Sequence, residues 1–148
     1  MSGTVNMTLP SLSCALPTGW IDQSMALFLM PAPPPDPRSL HNGKGVSPGN
    51  IAITWAVSDQ PAAAILEVKL AALRAVEGVL VVEPAAIVND VAVAVVSVPQ
   101  GQQRVFQVVA VRLVGELAVS VVGSALGATL SELKQHTLTA ATSLSLTR

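Results

Sequence analysis

The feature that most restricts this chain is a set of short aliphatic runs in which both alternating positions are apolar. Val91-Ala92-Val93-Ala94-Val95-Val96 is one, and Val105-Phe106-Gln107-Val108-Val109-Ala110-Val111 is another. Met25-Ala26-Leu27-Phe28-Leu29-Met30 follows the same rule. Runs of this length, rich in β-branched residues and bounded by turn residues, read as strands. A strand with one face in water alternates apolar and polar residues, whereas these runs present grease on both faces. Whatever sheet they form needs a cover on each side.

The runs follow one another closely. Residues 79–88, 91–98, 104–113 and 116–123 read as four strands, separated by Asn89-Asp90, Pro99-Gln100-Gly101 and Val114-Gly115. Turns this short join antiparallel neighbours, so the segment is a meander. Upstream, residues 24–30 and 50–57 read as two further strands. In the second, Ile51, Ile53, Trp55 and Val57 alternate with Ala52, Thr54 and Ala56. Between strands lies the best helix, residues 61–77, with Leu66, Leu70 and Leu73 on one stripe and Glu67, Lys69, Arg74 and Glu77 largely off it. Asp59 suits its cap, Pro61 its first turn and Gly78 its stop. Residues 129–142 read as a closing helix, with Leu133, Leu138 and Ala141 as its buried stripe. The expected fold is α+β, an antiparallel β-sheet packed with two helices, in one domain spanning residues 1–148. A Pro/Gly-rich loop at 31–50 interrupts it.

Composition excludes several functions. Only 11% of the 148 residues are charged, against roughly a quarter in an ordinary soluble domain, and the formal net charge is −1. There is no basic footprint for nucleic acid or anionic lipid. Aromatic residues make up 3% and Tyr is absent, which leaves little for base stacking. A membrane-spanning helix needs about twenty consecutive apolar residues. The uncharged stretch from Ser2 is broken by Pro10 and Pro17, and Leu117–Ser131 is too short and holds two glycines. No basic stretch precedes an apolar run at the start, so no cleaved signal is expected and the reading is cytoplasmic.

Chemistry finds no foothold either. His41 and His136 are far apart, Cys14 is the single cysteine, and neither histidine has metal-ligand spacing. The carboxylates are scattered singly, so no pair is placed for acid/base work. Glycines 43, 45 and 49 lack the Lys-Ser/Thr ending of a phosphate loop. The chain is expected to be no enzyme and to carry no metal or cofactor.

Two helices suffice for one face of such a sheet, so the second face is expected to need another cover. Three covers fit: the chain's own N-terminal segment and proline-rich loop, a second copy of the chain, or an apolar segment of another protein.

Leu16-Pro17-Thr18-Gly19-Trp20-Ile21-Asp22-Gln23-Ser24-Met25-Ala26-Leu27-Phe28, with Pro31 after the strand, resembles the opening of the DcrB-like family. That family includes the Eag chaperones of type VI secretion effectors. The order downstream is similar as well: a loop, a strand, one helix, four strands and a final helix. The resemblance implies a PsbP-like α/β sandwich and a cytoplasmic homodimer. It also implies a task, shielding the apolar N-terminal transmembrane helices of an effector of the PAAR/Rhs type before loading onto the secretion spike. Carried over, Met25 and Leu27 would face the client groove, while Trp20 and Phe28 would serve the core. By looser alignment Ala52, Thr54, Phe106 and Val108 would join the groove. This chain departs from the family in carrying Trp55 where a basic residue is usual, and in its long proline-rich loop. Strands of about six residues span about 20 Å and a membrane helix about 30 Å, so two protomers would be needed to cover one client. The alternative reading is a structural assembly subunit whose apolar sheet face is buried by self-association.

Overall fold

The computed structural model describes residues 25–29, 49–126 and 130–145. Trp20, Cys14, His41 and nearly all of the proline-rich loop lie outside the described residues. Six strands appear in chain order: β1 (Met25–Leu29), β2 (Gly49–Val57), β3 (Leu80–Val88), β4 (Val91–Gln100), β5 (Gln103–Val114) and β6 (Leu117–Leu126). Helix α1 (Ala62–Arg74) lies between β2 and β3, and α2 (Leu130–Thr142) follows β6. The strands form one antiparallel sheet in the order β1-β2-β6-β5-β4-β3. The α+β class expected from the pattern is the class observed.

The hairpins are tight for an identifiable reason. Asn89 and Asp90 both take positive φ, as the two-residue turn between β3 and β4 requires. Gly101 and Gly115 do the same after β4 and β5. These turns fix the register: Val114 pairs with Leu117, and each residue of β5 from Val105 to Val114 then has a defined partner on β6. The strands run somewhat longer than their apolar cores, so β2 starts at Gly49, inside the segment read as loop, and β4 continues to Gln100.

The helix boundaries differ from the sequence reading. Pro61 occupies the N-cap of α1, with extended backbone and no side-chain cap. Asp59 instead accepts a hydrogen bond from Gln60 Nε2 at 3.3 Å. A proline at the boundary starts the helix by its fixed φ, leaving Asp59 outside. The helix closes at Ala75, and Gly78 (φ +86°) serves the loop into β3.

The main correction concerns the helices, which lie on opposite faces. Leu66 and Leu70 of α1 are fully buried against Ala92, Ala94 and Val96 of β4 and Val109 and Val111 of β5. Leu133 and Ala141 of α2 are fully buried in a separate cluster with Val91, Val93 and Val95, Val108 and Ala110, and Val119 and Val121. Even positions of β4 meet one helix and odd positions the other. That accounts for its doubly apolar pattern without any external cover. Burying each such leucine contributes about 1.5–3 kcal/mol. The connections enforce the arrangement. α1 is the crossover between β2 and the far edge strand β3, while α2 returns beneath the sheet from β6.

Three basic side chains tie the helices and loops to this frame. Arg112, on β5, donates from Nη1 to the carbonyls of Ala141, Thr142 and Leu144 at 2.9–3.1 Å. Arg104 donates to Ser97 Oγ at 2.5 Å and to the Gly78 carbonyl at 2.6 Å, holding the α1–β3 loop. Lys134 of α2 meets Glu83 of β3 at 2.5 Å.

Candidate binding face

Among the described residues, the double cover is incomplete on one side. α1 rests on β3, β4 and β5, so its face of the sheet continues beyond it across β6, β2 and β1. Register identifies the residues there. Met25 pairs with Thr54 and Thr54 with Ser120; Leu27 pairs with Ala52 and Ala52 with Val122. Ala56 pairs with Ala118. Through β5 the same rows reach Val109 and Val111, which lie under α1. The face grades from closed to open away from the helix: Ala118 and Ser120 are buried, Ala52, Thr54 and Val122 half-buried, Ala56 exposed, and Leu27 is 58% exposed. Small side chains at 52, 54, 56, 118 and 120 make a shallow floor.

Of the six residues expected at a groove, Leu27, Ala52 and Thr54 share this face, and Met25 is the backbone partner of Thr54. Phe106 and Val108 do not share it. Val108 pairs with Gly123, and Gly123 pairs with Ile51, which puts them on the side covered by α2. Val108 is 0% exposed in that core, and Phe106 packs against it. The looser alignment placed them on the wrong parity. Counting back from the Gly115 turn gives the right one, and it would also have found Ser120 and Val122. Phe28 packs on the α2-side core, together with Ile51 and Trp55.

At one end of the open face the floor turns polar. Asn50 pairs with Ser124 and Ser124 with Gln107, a row of two amides and a hydroxyl across β2, β6 and β5. They line a shallow depression of ≈320 Å³ that also takes in Gln100. A second depression, of ≈340 Å³ and mostly apolar, lies along α1 at Ala64, Ile65, Val68 and Lys69.

Among the described residues no group of three or more His, Cys, Asp or Glu side chains is placed to hold a metal ion. His136 lies 3.3 Å from Glu132, one turn away on the exposed side of α2. No helix among the described residues is long and apolar enough to cross a membrane.

Among the described residues, the protein is thus a six-stranded antiparallel sheet held between two helices on opposite faces, with half of one face left to mostly small side chains. No protein-family model and no curated protein matches the chain. Its fold is similar to the crystal structure of PA94 from Pseudomonas aeruginosa, a protein of unknown function described as a candidate regulator. The TM-score is 0.62 at 15% identity, over 90% of this chain and 89% of that one.

Proposed function

We propose that this protein is a chaperone or adaptor of the Eag type, holding an apolar N-terminal transmembrane helix of a type VI secretion effector on the open half of its sheet. One observation carries the reading: the face beyond α1 is lined with small and aliphatic residues, and Leu27 stands exposed in it. The doubly apolar β4 and β5 no longer support a guest, because α1 and α2 cover them. Leu27, Ala52, Thr54 and Ala56 do, since their floor admits close approach of a helix and their apolar area gains by covering. The resemblance of residues 16–28 to the DcrB-like family points to the same assignment, and would make the protein a cytoplasmic homodimer.

The test is to co-express the protein with a hydrophobic segment of about twenty residues and measure how much of the segment stays in solution. The wild type keeps it soluble, and Met25→Asp with Leu27→Asp abolishes this while the circular dichroism spectrum is unchanged. A folded double variant that still solubilises the segment overturns the reading.

A second reading, self-association as an assembly subunit, is favoured by the edge strand β3, where Leu80, Val82, Ile87 and Val88 are exposed. Light scattering separates the two: a closed dimer supports the chaperone, and open-ended rings or filaments support the assembly subunit.

A further inference from the structure

We infer that Asn50, Ser124 and Gln107 form an end-stop for the guest, hydrogen-bonding the unpaired backbone groups at one terminus of an apolar helix; this rests on the chaperone reading. The direction of the guest follows from α1. β2 and β3 start at the same end of the sheet, since Gly49, Ala125, Phe106, Ser97 and Leu80 lie in one row. α1 therefore runs lengthwise along the strands from the Val57 end back to that row. A helix lying beside it on β2 and β6 runs lengthwise too, and its end falls at one end of the strands.

The two ends differ in chemistry. At the Val57 end the floor is Ala56 and Ala118, and the next residue on that side of β2, Ser58, already accepts at its hydroxyl from the Gln60 N–H at 3.1 Å. At the other end stand Asn50, Ser124 and Gln107, all half-buried. None of the three makes a side-chain hydrogen bond among the described residues. They span two strand spacings, about 10 Å, which is the diameter of a helix. Amides and hydroxyls both donate and accept, so the row serves a terminus of either polarity. A helix end leaves four N–H or four C=O groups unpaired, and removing them from water without partners is costly. An uncharged row meets that need without placing a bare charge against an apolar guest. Thr54 and Ser120 lie in mid-floor, where a helix interior offers its side chains and not its backbone.

The probe is a fluorescent Leu/Ala peptide of about twenty residues, with blocked ends, released from detergent micelles onto the full chain. The Asn50→Leu, Gln107→Leu, Ser124→Ala triple variant is expected to bind it about tenfold more weakly than wild type. The single variants Asn50→Leu and Gln107→Leu should each lose about threefold, which keeps the test alive if the triple variant does not fold. A probe lengthened at both ends, so that neither terminus reaches the row, should bind wild type and triple variant alike. If Leu27→Asp abolishes binding while the row variants match wild type on the short probe, the end-stop is wrong and the open face stands. If wild type fails to bind either probe, the face holds no helix and both ideas fall.

Discussion

Gly123 of β6 lies directly against Thr137 of α2, so close that a Cβ on the glycine would run into the Thr137 hydroxyl and come within 2.9 Å of Leu133 Cδ1. Thr137 is fully buried and turns its hydroxyl back to the Leu133 carbonyl at 2.8 Å, which satisfies it inside the core. The pair fixes how closely α2 approaches the sheet.

Gly123→Ala should therefore destabilise by about 1–3 kcal/mol, the usual cost of overpacking a close-packed interior. The methyl group also replaces a glycine in a strand, which by itself favours alanine, so a loss would report the clash alone. Urea denaturation measures it through the midpoint at unchanged slope. Combining Gly123→Ala with Thr137→Ala should recover part of the loss, because the two residues touch and their effects are not additive. Additive losses would show that α2 accommodates the methyl group elsewhere.

Arg112 gives a second test. It sits in an apolar strand and spends its charge on three carbonyls at the end of α2, where the helix has unpaired acceptors and the negative end of its dipole. Arg112→Met keeps the aliphatic stem and removes the donors, so it should cost about 1.5–3 kcal/mol. Amide exchange would then quicken first in the last turn of α2. Uniform acceleration through the molecule would assign Arg112 to global packing.

The Lys134–Glu83 pair offers the contrast. Its separation is 2.5 Å, yet the two side chains are 36% and 44% exposed. Water and salt screen such a pair, so Glu83→Gln should cost no more than about 1 kcal/mol. The cost should shrink further in high salt. A loss as large as that of Arg112→Met would mean that the pair holds α2 to the edge strand more firmly than exposed ion pairs do.

The strands, their order along the chain and the Asn89-Asp90 turn were legible in the sequence, because β-branched runs and positive-φ residues have local causes. The sides taken by the helices were not. Apolar residues at both parities of β4 say that two covers exist but not that α1 and α2 supply one each, since that depends on a crossover from β2 to the far edge. The candidate face was half legible. Ala52 and Thr54 follow from alternation within β2, and Leu27 follows from the resemblance. Phe106 and Val108 were misplaced because parity carries from strand to strand only through the hairpin register. Asn50, Ser124 and Gln107 are scattered in sequence and meet only when β5, β6 and β2 are aligned. Arg112 carries no local sign of its role, for its acceptors lie some thirty residues away on another element.

Leu27 and Val108 provide the sharpest test of which face is open, because both were expected at one groove and the structure places them on opposite sides. An aspartate at Val108 would bury a carboxylate among Val95, Ala110, Val121 and Leu133 with no cation or donor provided. An unpaired charge in such a site costs several kcal/mol, a large part of the stability of any domain this size. Val108→Asp should therefore abolish the cooperative unfolding transition and send the protein to the insoluble fraction. An aspartate at Leu27 stays hydrated, so Leu27→Asp should move the unfolding midpoint by no more than about 0.5 kcal/mol equivalent. Both are read by thermal unfolding followed by circular dichroism. If Leu27→Asp unfolds the protein as Val108→Asp does, then Leu27 is core, and a face closed at Leu27 leaves no floor on which a guest helix could lie.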